Sequence, residues 1–124
     1  MAITTLGKIY MAAAFMGDTF TAFSNANARL CVGDSTTAFD IAQTDLQAAT
    51  NKLRRVMDAT YPLRTNNVLT FKATFGTAEA NFHWQEWGLA KSASGADMAQ
   101  RKVEDLGTKT AGEIWVLTAT LTVG

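Results

Sequence analysis

A mainly β domain, an antiparallel sandwich or barrel with one or two short helices, is the fold class this sequence predicts. Three observations point to it. Clusters of turn-forming residues recur at "GDSTTAFDIAQTD" (33–45), "YPLRTNN" (61–67), "GTAE" (76–79), "KSASGAD" (91–97) and "GTKTAGE" (107–113), the punctuation of short strands joined by tight connections. Two of the stretches between them alternate apolar and polar residues with a period of two. Finally, 124 residues with a single cysteine form one domain that buries roughly two thirds of its unfolded surface, enough for a core without disulfide or metal staples.

Residues 1–26 read as an N-terminal arm or helix and 27–124 as the β body of the same domain. Alanines at 12, 13 and 14 favour helix over 6–16. The apolar run from Tyr10 to Met16 is too short to span a bilayer, which takes about 20 residues. Lys8 ahead of it faintly echoes a secretion signal, but an arm packed on the body or on a neighbour is the expected structure. Tyr10, Phe15, Phe20 and Phe23 are its candidate interface residues. Such an apolar segment can dock on a shell or another copy, or close the protein's own core.

In "NVLTFKATF" the side chains of Leu69, Phe71, Ala73 and Phe75 share one face, with Thr70, Lys72 and Thr74 on the other. In "EIWVLTATLTV" the residues Trp115, Leu117, Ala119, Leu121 and Val123 alternate with Val116, Thr118, Thr120 and Thr122. A half-buried strand needs this pattern, and β-branched threonine suits its wet face. "NARLCVG" (27–33) and "MAQRKVEDL" (98–106) are strands of poorer alternation. The stretch 44–60 stays open: Leu46, Ala49, Leu53, Val56 and Met57 keep helical spacing behind a possible Thr44 cap, yet "LRRVMDA" also suits a strand with its arginines outward. Pro62, the only proline, falls in a loop.

"ANFHWQEWGLA" (80–90) holds two tryptophans and the only histidine. As a strand it sets Phe82, Trp84, Glu86 and Gly88 on one face and His83, Gln85, Trp87 and Leu89 on the other. Neither face is purely apolar, so both are covered or a bulge shifts the register. A carboxylate among aromatics is costly unless a base or backbone N–H groups pair with it. Arg101 and Arg29 are its candidate partners in a structural lock. Two other readings compete: Glu86 and His83 as an acid/base pair, and the tryptophans as a carbohydrate or partner surface. The first is weak, because residues three apart on a strand lie on opposite faces.

Little other chemistry is written here. Eleven basic residues balance eleven acidic ones, which argues against a polyanion binder. One histidine and one cysteine cannot build the usual structural zinc site. Cys31 sits in apolar "ARLCVG" and reads as a buried thiol. "GDSTTAFD" lacks the ligand pattern of an EF-hand loop, and no nucleophile elbow or phosphate-binding glycine loop is present. No catalytic, cofactor or metal site is expected, and neither nucleic acid nor membrane is an expected partner.

The order of three segments carries a resemblance. "RLCVGDSTTAFDIAQTDLQ", then "RRVMDATYPLRTNNVLTFKATFGTAEANFHWQEWGLAKSASG", then "QRKVEDLGTKTAGEIWVLTATLTV" together resemble small virion structural proteins of tailed bacteriophages. Those proteins show a "VGxGTTAxxxxxTxL" segment, a strand leading into "ANFxWxEWG(V/L)" and a terminal "LGTKTxxxxWxLTxTxT". The resemblance covers residues 29–123, and "VGDST" departs from the glycine-rich turn usual there. It implies a non-catalytic β domain of the virion, made in the host cytoplasm. Its partners would be the major capsid protein, copies of itself, or tail proteins. A capsid cement or decoration protein is the first expectation, and a tail, neck or fibre component the second.

Overall fold

The computed structural model describes residues 3–123. Two antiparallel sheets stack into a sandwich. One has the order β2-β1-β5-β6, from β1 (Arg29–Gly33), β2 (Lys52–Val56), β5 (His83–Ala90) and β6 (Met98–Thr108). The other has the order β3-β4-β7, from β3 (Leu63–Thr65), β4 (Val68–Phe75) and β7 (Trp115–Thr122). One helix, α1 (Thr5–Met16), precedes them.

β4 and β7 behave as their alternation predicts. They pair in unbroken register from Val68↔Thr122 to Phe75↔Trp115, which brings Phe71, Ala73, Phe75, Ala119 and Leu121 to the buried face. Across the core they meet Leu30, Val32, Trp84, Trp87 and Leu89 of the four-stranded sheet. Phe75 and Trp115 both pack edge-on against Trp84, at 4.8 and 5.0 Å between ring centroids. Buried side chains of this size each contribute about 1.5–3 kcal/mol, so these aromatics anchor the sandwich.

One open stretch is resolved and two expectations are corrected. The C-terminal part of 44–60 is the strand β2, and no helix forms there, because 52–56 pairs in register with β1. Arg54 does not point outward: its side chain is buried beneath 91–97. Residues 63–65, within an expected loop, form β3 by hairpin pairing with β4 around Asn66 and Asn67.

α1 is tied down at its start. Thr4 Oγ1 accepts from the Gly7 N–H and donates to the Met98 carbonyl, both at 3.0 Å, and the Thr4 N–H bonds the Ala99 carbonyl at 3.0 Å. This places the helix against β6 so closely that a Cβ on Gly7 would collide with the Ala99 carbonyl oxygen. No helix among the described residues is long and apolar enough to cross a membrane.

Candidate functional site

β5 explains the mixed pattern of "ANFHWQEWGLA". Its register against β6 shifts between Trp84 and Glu86, so Trp84 as well as Trp87 and Leu89 reach the inner core. Glu86 and Gly88 face outward, but not into water. Residues 34–51 fold over that outer face and bury Leu46 and Ala48. Leu46 joins Cys31, Ala90 and Met98 in a second apolar cluster there. The sheet is therefore covered on both sides.

Glu86 is the hub of this layer. Its Oε1 accepts from Arg101 Nε at 2.8 Å and from the Gln47 N–H at 2.9 Å, while Oε2 accepts from the Ala48 N–H at 2.9 Å. Arg101 reaches it diagonally, since Gly88 pairs with Arg101 and Glu86 with Val103. Arg101 Nη1 also donates to Gln43 Oε1 at 3.0 Å. Both charged side chains are fully buried, and their bonds pin residues 43–48 to the sheet. Gly33 is opposite Glu86 in register, and a Cβ there would strike the carboxylate. The glycine is what gives Glu86 its room.

Arg29 is not the partner. It pairs with Ala90 at the other end of β1, four residues or about 13 Å from Gly33. Its Nη1 instead caps a turn, donating to the carbonyls of Ala26, Asn27 and Ala28. His83 lies away from Glu86, with Nε2 at 2.7 Å from Asp105 Oδ1 on the surface. That bond, and the Gly107 N–H, hold the Asp105 carboxyl below its usual range. His83 and Glu86 are not brought together, so they form no acid/base pair. Trp84 and Trp87 are buried, their indole N–H groups bonded to the Ala80 carbonyl and Glu104. Neither offers a ring face to a sugar.

Two buried cations escaped sequence reading. Arg54 donates to the Ser92 and Gly95 carbonyls, to Asp97 Oδ1 at 2.7 Å and to Asp45 Oδ1 at 3.0 Å, gathering 91–97 onto β2. Lys109 Nζ donates to the Gly76 carbonyl and Asn81 Oδ1, both at 2.7 Å, stitching 76–81 to the end of β6. For Arg54 a signal existed: adjacent arginines in a strand must point to opposite faces. For Lys109, in a run of turn residues, there was none. Cys31 is held neutral, its thiol pushed up to about 12 by burial. Among the described residues no three His, Cys, Asp or Glu side chains gather where they could hold a metal ion.

The arm splits the four aromatics assigned to it. Tyr10, Phe20 and Phe23 turn inward and line an apolar cavity of about 190 Å³ over Phe71, Leu89 and Leu121. Tyr10 stacks beneath Lys91 Nζ, 4.4 Å from its ring centroid. Phe15 points away, 91% exposed, with Met16 at 74% and Ile9 at 56%. Comparison with protein-family models, curated proteins and solved structures found no match.

Proposed function

We propose that this chain is a non-enzymatic structural protein of a tailed-bacteriophage virion, most specifically a cement or decoration protein on the outside of the head. The observation that carries the reading is the outer face of α1, where Ile9, Phe15 and Met16 stand in water on a helix anchored at its base. A rigidly held apolar surface suits docking on a partner better than solution. The major capsid protein is that partner. The consumption of the charges of Glu86, Arg101, Arg54 and Lys109 in internal locks supports a scaffold without chemistry. The resemblance of the three ordered segments supplies the particle.

The mechanism is multivalent clamping. Many copies at symmetry-related joints each add a modest contact, and together they raise the barrier to subunit separation. Immunogold electron microscopy of particles from the phage that carries the gene tests the placement. Label spread over the head is expected. Label restricted to tail or neck transfers the protein to the tail, neck or fibre reading, and unlabelled particles overturn the virion assignment. Phe15→Ser tests the docking face directly: the folded variant should lose particle binding, and full binding would remove α1 from the interface.

A further inference from the structure

Every open sheet ends in two edges, rows of unpaired backbone groups that template another strand unless something blunts them. This sandwich has four. β2 is five residues long and carries Lys52, Arg54 and Arg55. β3 has three residues, one of them Arg64. β6 carries Arg101, Lys102, Glu104 and Asp105, shifts register twice, and is bridged near its start by Ile3 at Gln100. β7 has no such protection: eight residues without a charge, a proline, a glycine or a bulge.

The direction of its free groups follows from one bond. The Val123 N–H donates to the Asn67 carbonyl at 2.9 Å, in register with the β4–β7 ladder. Backbone groups alternate sides along a strand, so odd-numbered residues of β7 bond β4. Those of Val116, Thr118, Thr120 and Thr122 point outward. No backbone bond outside the ladders reaches these four among the described residues. Beside them a cleft of about 250 Å³ opens, lined by Trp87, Lys102, Thr118, Ala119 and Thr120.

We propose that β7 pairs with β7 of a second copy of this chain, antiparallel about a two-fold axis at Ala119. In that register Thr118 lies opposite Thr120 and Val116 opposite Thr122, and the outward groups of all four find partners. The two three-stranded sheets become one continuous sheet through an isologous contact. A second copy is the occupant because the edge is complementary to itself. Its outward groups are symmetric about Ala119, residues 114–123 bring no charge against a like charge, and the formal net charge is +0, so no long-range repulsion opposes the approach. The proposal does not depend on the virion reading.

Sedimentation equilibrium on the purified chain tests it. The wild type is expected to reach twice the monomer mass as concentration rises. Thr120→Pro removes one outward N–H and leaves the β4 ladder intact; Thr118→Lys adds the charge that other edges carry. Each should weaken dimerisation about tenfold or more with unchanged circular dichroism, and the lysine variant decides if the proline variant misfolds. Phe15→Ser should leave dimerisation untouched. A wild type monomeric at every concentration overturns the proposal. So does a dimer that survives the β7 substitutions, or one that Phe15→Ser abolishes.

Discussion

The three-stranded sheet buries one face and wets the other, whereas the four-stranded sheet is covered on both. The outer face of β4 and β7 is mainly threonine, open along β7 and touched on β4 by the 58–61 turn, where Thr74 Oγ1 donates to Asp58 and Lys72 Nζ lies over Tyr61. The outer face of β5 lies under residues 34–51, and what holds that cover is charge: Glu86 on Arg101 and on two backbone N–H groups. An apolar core tolerates small changes in shape, but a buried ion pair tolerates no loss of a partner. The difference teaches where this protein is fragile. Its aromatic density is ordinary packing, and its vulnerable point is a carboxylate behind it.

The comparison breaks most visibly at Glu86. Glu86→Ala strands a buried guanidinium and two N–H groups, so urea unfolding should show a loss of about 3–5 kcal/mol. Residues 43–48 should gain amide exchange. The double variant Glu86→Leu, Arg101→Met should recover much of that loss, since apolar replacement of a whole buried pair is often neutral; no recovery would mean the pair contributes more than mutual neutralisation. Lys109→Met comes next, at about 1–3 kcal/mol, because it leaves Asn81 Oδ1 without a donor and the Gly76 carbonyl with the Glu79 N–H alone. On the wet face, Thr122→Val should stay within about 0.5 kcal/mol, and a larger loss would show that this face is covered after all.

The smallest effect is expected at the exposed His83–Asp105 contact, and it disappears in acid. The folded Asp105 carboxyl is held below its unfolded value. Its contribution is therefore present above the ordinary carboxylate value near 4 and is lost as pH falls through the lower folded value. Melting curves of the wild type and Asp105→Asn should differ slightly at pH 5 and converge in stronger acid. A difference that grows towards low pH would reverse the sign.

The same contrast governs how much was legible in advance. β4 and β7 could be read residue by residue, down to which face Phe71, Ala73 and Phe75 take. β1 along its length, and β6 over Met98–Arg101, showed poor alternation because both faces are occupied there. β5 alternated ambiguously for that reason and because its register shifts after Trp84. Glu86 announced itself as a buried carboxylate in need of a partner, but Arg101 and Arg29 were equivalent until register set one diagonal to it and the other at the far end of β1. Lys109 was invisible. Nothing in "GTKTAGE" distinguishes a lysine in solvent from one that ties two loops together.

By itself, then, the sequence determined the fold class, the two strands with a dry and a wet face, and the helix before them, because period and local propensity are properties of neighbours along the chain. The tertiary structure alone decided whether 52–56 would be strand or helix, which arginine meets Glu86, and which side of α1 is left in water. Those outcomes depend on residues far apart in sequence meeting across a ladder or under a loop. A one-dimensional pattern records that a side chain must be buried or paired, and only the assembled sheets settle against what.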